Sequence, residues 1–236
     1  MVSRERETLG INGLGLETEK RSSFGVVLAI VGIDPSRNGE NLTQPKLWTI
    51  IERKPKPETE RVAGQISFPG ETRKDTNEKI EDTIIGGLAE FTDNNHTIKY
   101  NLFFIPGSSF VRGRIFVNGN PFDMAILICE GSFNNAIEPE DKDEVVPNGW
   151  MTIDEILKKD PKRDPRIVRG FVHQLADLEE SEGLISKAVS DFFHFPTQRV
   201  PLGAILPDDF SISDFFKKRE QSLDVIKKGR NADQYA

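Results

Sequence analysis

The chain has 236 residues, 36% of them hydrophobic and 29% charged, with a formal net charge of −7. That length suffices to bury a core in one large domain, or in a domain of about 150 residues with extensions. The acidic balance argues against gripping nucleic acid through bulk charge, and a single cysteine, Cys129, excludes an intrachain disulfide.

Met1 to Glu19 carry mixed charge with no apolar core of signal-peptide length, so residues 1–20 read as a polar lead. No apolar run approaches the roughly 20 residues needed to cross a bilayer. A cytoplasmic protein is the expectation. The longest such run, residues 24–33, is β-branched and bounded by turn formers, and predicts a central strand. Asp34-Pro35-Ser36-Arg37-Asn38-Gly39 follows as a turn, and residues 46–53 predict a second strand. Pro55 and Pro57 make residues 54–60 a loop.

Between Asn77 and Phe91 the apolar residues Ile80, Ile84, Leu88 and Phe91 recur at helical spacing, with Thr76 or Asn77 able to cap the start. Strands are predicted within 97–105, 113–117 and 121–130, the last carrying Cys129 in an apolar run that points to a buried thiol. An acidic loop covers 138–144. Thr152 then caps a short helix, with Glu155 completing a capping box. Residues 166–180 read as an amphipathic helix with Ile167, Phe171, Leu175 and Leu178 inward, and 213–228 as a further helix in a C-terminal extension. Lys217-Lys218-Arg219 and Lys227-Lys228 make that extension locally basic.

Gly64-Gln65-Ile66-Ser67-Phe68-Pro69-Gly70, followed by Thr83-Ile84-Ile85-Gly86-Gly87-Leu88-Ala89-Glu90-Phe91-Thr92-Asp93, resembles a Nudix box that has lost most of its catalytic acids. The Nudix signature G-x5-E-x7-R-E-U-x-E-E-x-G-U sets an arginine and several glutamates at one end of a helix. Those glutamates hold divalent metal, usually magnesium, which bridges a nucleoside diphosphate and activates water. Phe68-Pro69-Gly70 matches the start of the box, and Glu78 fits its first glutamate once two extra loop residues are allowed. In that register Gly86 replaces the arginine, Gly87 the next glutamate, Phe91 the last one, and Asp93 the closing glycine; Glu90 alone survives of the R-E-U-x-E-E acids. The segments 50–70 and 149–156 add likeness to the coenzyme A type of Nudix pyrophosphatase, so the resemblance covers roughly residues 22–180.

The resemblance implies a Nudix α/β/α sandwich with a mixed sheet over residues 21–183, preceded by the polar lead and followed by a helical extension at 184–236. It implies Glu78 and Glu90 as what remains of a metal site, Glu90 as the remaining catalytic residue, and Mg²⁺ as cofactor only if the chain is active. Gln65, Ser67, Gly70, Gly86, Gly87, Arg112 and Arg114 are the candidate ligand-binding residues, the two arginines as phosphate contacts on one strand face. Three functions stay open at this point. One is a nucleotide-type ligand bound with weak or no hydrolysis. Another is an active magnesium-dependent pyrophosphohydrolase drawing a further acid from 138–144, and the third a ligand-sensing regulator using the extension. Expected partners are a small nucleotide-type molecule and, as often in this family, a second copy; nucleic acid and membrane are not expected.

Overall fold

The computed structural model describes residues 23–52, 65–73, 78–89, 102–117, 119–130, 145–158 and 170–205. The polar lead, the 54–60 loop, Thr76 and Asn77, Glu90 to Asp93, the acidic 138–144 loop and the 213–228 segment lie outside them.

β1 (Gly25–Ile33) is buried along its whole length. A strand covered on both faces needs apolar residues at odd and even positions alike, so it appears as an unbroken β-branched run. Val27, Ala29, Val31 and Ile33 enter one hydrophobic cluster, while Val26, Leu28 and Ile30 enter another on the opposite face. β7 (Asn120–Glu130) lies parallel beside it, from Val26 opposite Asp123 to Ile33 opposite Glu130. It divides its residues the same way, with Met124, Ile126 and Ile128 on the first face and Ala125 and Leu127 on the second.

Antiparallel strands flank this parallel pair. β2 (Lys46–Glu52) and β4 (Gly70–Thr72) join β1, while β5 (Leu102–Phe104) and β6 (Phe110–Val117) join β7. β3 (Ile66–Ser67) and β8 (Val145–Thr152) pair with β2, and β9 (Val200–Pro201) pairs with β5. Among the described residues the result is one mixed sheet of nine strands.

Helices cover both faces. α2 (Ile80–Ala89) sets Ile80, Ile84, Ile85 and Leu88 into the cluster with Leu28 and Trp48. The other face carries α4 (Gly170–Glu182) and α5 (Leu184–His194), which contribute Val172, Leu175, Ile185, Ala188, Val189 and Phe192. Two short helices, α1 (Asn38–Thr43) and α3 (Ile153–Leu157), complete that side. The architecture is therefore the expected α/β/α sandwich with a mixed sheet. No described helix is long and apolar enough to cross a membrane.

Several local readings need correction. The turn expected at 34–39 is a 3-10 turn, Pro35–Arg37, running into α1. Asp34 organises it: its Oδ1 accepts from the backbone N–H and the hydroxyl of Ser36, at 2.9 and 2.7 Å, and its carbonyl accepts from Asn41 Nδ2 at 2.6 Å. Trp150 lies within β8, opposite Trp48. The capping box is present as expected. The Thr152 N–H donates to Glu155 Oε2 at 2.8 Å and the Glu155 N–H donates to Thr152 Oγ1 at 3.2 Å, which holds the Glu155 carboxyl below its usual range.

The chain does not leave the core at residue 183. Gly183 takes φ +61°, a left-handed conformation glycine adopts without strain, and joins α4 directly to α5. The Glu179 carboxylate accepts from the backbone N–H of Ile185 and, at 3.1 Å, of Ser186, satisfying donors at the start of α5. Residues 184–205 thus share the sheet and core of the preceding residues. The periodic set Ile185, Ala188, Val189 and Phe192 supplies the contact.

Candidate functional site

The residues that resemble the box converge on the sheet face carrying α2. Alternation along β3 sends Ile66 and Phe68 to the α4/α5 side, which turns Gln65 and Ser67 toward α2; both are buried. Ser67 sits opposite Ile50, itself a member of the α2-side cluster. Pro69 accepts from the Leu28 N–H at 2.8 Å, and Gly70 lies against β1, where a Cβ would stand 3.0 Å from the Val26 carbonyl oxygen. The aromatic-Pro-Gly start of the box is therefore stitched to the central strand.

Over this strand edge lies Gly87. A Cβ added there would meet Leu28 Cδ1 at 3.1 Å, Glu71 Cβ at 3.2 Å and Glu71 N at 3.6 Å. Gly86 beside it is also buried. Gly87 lets the second half of α2 lie close on β1 and β4, and both glycines are enclosed by protein.

Arg73, at the end of β4, was not anticipated. Its backbone N–H donates to the Phe24 carbonyl at 2.9 Å, and its guanidinium Nη2 donates to the Glu78 carbonyl. Among the described residues, Nε and Nη1 are enclosed without an acceptor. A basic residue three positions after the Pro-Gly pair was the signal available in the sequence. Glu78 is half-buried beside it, and Glu81 is buried on the first turn of α2.

The two arginines of β6 are not part of this cluster. Both are exposed, but Arg114 forks onto Glu182 at the end of α4, with Nη1 to Oε2 at 2.7 Å, and that pairing lowers the Glu182 carboxyl below its usual range. They flank a bulge. Val111 pairs with Met124 and Ile115 with Phe122, so residues 112–114 face only Asp123. Gly113 takes φ +58° there, and its N–H donates to Asp123 Oδ1 at 2.9 Å while Ser23 Oγ donates to Oδ2 at 2.9 Å. Asp123, 2% exposed, is a buried carboxylate that braces the bulge. Its position at the head of an apolar strand was its only mark in the sequence.

Among the described residues no three of His, Cys, Asp and Glu stand together as a metal requires, and at Gly87, where the resemblance puts a glutamate, an added Cβ would stand 3.1 Å from Leu28 and 3.2 Å from Glu71. Glu90 and the 138–144 acids lie outside the described residues.

A concavity of about 710 Å³ opens on the opposite face among α1, α3, α4 and the start of α5. Glu40, Asp154, Glu155, Asp177, Glu179 and Glu180 line it against Lys46 and Lys158. Glu155 and Glu179 are already engaged in the helix-start hydrogen bonds described above. Cys129 is half-buried on β7, and desolvation pushes its thiol up to about 11.

No family model matches the chain, and no curated protein matches it. Solved structures do. An Ap4A hydrolase from C. elegans is 12% identical, covering 72% of this chain and 99% of that one at a TM-score of 0.40. The Nudix domain of Shewanella oneidensis NrtR, complexed with ADP ribose, is also 12% identical, over 74% of this chain and 99% of that one at 0.39. The Nudix hydrolase RenU from M. Smegmatis is 14% identical, over 70% and 88% at 0.37. At the level of fold, the solved structures to which this chain is similar include Nudix proteins, the family that its 64–93 segment resembles.

Proposed function

We propose that the chain binds a nucleoside-diphosphate-type ligand over the α2 face of the sheet and hydrolyses it weakly or not at all. The observation that carries this reading is Gly87. It stands where the resemblance puts a metal glutamate, and Leu28 and Glu71 close the space a carboxylate would need.

Bound magnesium would neutralise phosphate charge and activate a water. In its place the α2 face offers a guanidinium. Arg73 holds two donors without acceptors among the described residues, next to Glu78, and a phosphate oxygen would satisfy them once the neighbouring side chains give way. In this reading Gln65, Ser67 and Gly70 shape the floor, and Glu78 and Glu90 orient the ligand. Gly86 and Gly87 contribute by drawing α2 close. Arg112 and Arg114 of β6 stand outside this cluster, and Arg114 is engaged by Glu182. The opposite concavity suits a polyphosphate poorly, since six carboxylates face two lysines there.

The test is a hydrolysis and thermal-shift screen with ADP-ribose, coenzyme A, NADH, dinucleoside polyphosphates and nucleoside triphosphates, in Mg²⁺ and in EDTA. No turnover above background is expected. At least one compound should raise the melting temperature equally in both buffers, as a ligand well above its Kd does. Turnover on the ordinary enzyme scale of roughly 1–10³ s⁻¹ would refute the reading, and its abolition by Glu90→Gln would assign the activity to the surviving acid.

A further inference from the structure

We infer that Gly87 is a packing position from which the sheet excludes every side chain, so that this turn of α2 is closed to a metal-holding carboxylate even if one is restored. The inference concerns the helix alone and does not depend on which ligand the chain binds.

Three observations carry it. First, a Cβ at 87 meets atoms at 3.1 and 3.2 Å, closer than ordinary van der Waals contact. Second, neither neighbour is placed to yield. Leu28 is fully buried in the centre of the α2-side cluster, and Glu71 is held by its pairing with Val26 on β1, so its Cβ and N follow the strand. Third, the helix cannot lift away cheaply, because Ile84, Ile85 and Leu88 around the glycine are themselves buried in that cluster.

Helix propensity makes the opposite demand. Glycine inside a helix is worse than alanine, so Gly87→Ala at an open position would stabilise the protein. A glycine retained against that preference, with its side-chain space occupied, marks close helix–sheet approach rather than a site awaiting a ligand.

The experiment is a melting-temperature cycle over wild type, Gly87→Ala, Leu28→Ala and the double variant, with Gly87→Glu as a further arm. Gly87→Ala is expected to melt at least about 2–4 °C below wild type. On the Leu28→Ala background, where the closest atom is gone and Glu71 Cβ at 3.2 Å remains, the same change should cost less than in wild type, which is the non-additivity of residues in contact. Gly87→Glu should lose more than Gly87→Ala and recover none of the loss when Mg²⁺ is added alone. A Gly87→Ala protein as stable as wild type or more so, an equal alanine penalty on both backgrounds, or Mg²⁺-dependent recovery of Gly87→Glu would overturn the inference.

Discussion

Phe192→Ala is expected to destabilise the protein by about 3–5 kcal/mol, the usual cost of truncating a fully buried aromatic residue. Phe192 is 0% exposed. Its ring meets Phe103 of β5 edge-on at a centroid distance of 5.5 Å and Phe193 at 5.6 Å, and the Arg199 guanidinium lies 3.8 Å over it. Arg199 Nε also donates to the Phe192 carbonyl at 2.7 Å. Alanine would therefore open a cavity beneath the sheet and remove the surface that locks the turn after α5 to the β9 pairing. At roughly 2–4 °C per kcal/mol for a domain of this size, the melting temperature should fall by about 6–20 °C. Phe192→Leu, which keeps much of the volume, should lose markedly less. A loss below about 1 kcal/mol in denaturant titration would mean that residues 184–205 are an appendage and not part of the core.

The second large effect is expected at Asp123. Its two carboxylate oxygens accept from the Gly113 N–H and the Ser23 hydroxyl in a buried setting. Asp123→Ala leaves both donors unsatisfied and releases the bulge that turns residues 112–114 outward, at a cost of roughly 2–4 kcal/mol. Asparagine supplies a carbonyl oxygen for the Gly113 N–H and an amide N–H₂ that donates to the Ser23 oxygen, so Asp123→Asn should recover most of the loss. Urea midpoints of the three proteins check this. Equal losses for Ala and Asn would show that the charge, and not the hydrogen-bond geometry, is what the bulge needs.

The same bulge shows how an exposed strand edge is managed. β6 leaves a free side toward α4, and there the Gln174 amide acts as a short strand: its Oε1 accepts from the Phe116 N–H at 2.8 Å and its Nε2 donates to the Phe116 carbonyl at 2.9 Å. Arg114 and Glu182 close the next position along that edge. The arginine pair noted in the sequence as a phosphate contact is thus divided, one member being spent on holding α4 to the sheet.

What could be read in advance follows from how local each signal is. β1 was legible because burial on both faces writes itself as a continuous apolar run, and the Thr152/Glu155 capping box because both partners lie within one helical turn. α2 was legible from the spacing of Ile80, Ile84 and Leu88. α5 carries an equally regular set at 185, 188, 189 and 192, but it follows Gly183 where the resemblance stops, and so it was assigned to an extension. Gly87 could be recognised as a missing glutamate but not as a packing contact, because Leu28 and Glu71 come to it only through the fold. Arg73 and Asp123 were missed for a similar reason. A charged residue is informative only once its burial is known, and neither sits in a periodic pattern.

Close approach of α2 to the strand buries apolar surface, and glycine at 87 is the residue that permits it. On the proposed function, magnesium has no role in ligand affinity and the phosphate charge falls to Arg73. The most direct test is calorimetric titration of whichever screened compound stabilises the chain most, once in Mg²⁺ and once in EDTA. The two dissociation constants are expected to agree within about twofold, a difference of less than half a kcal/mol; binding that disappears in EDTA would contradict the account.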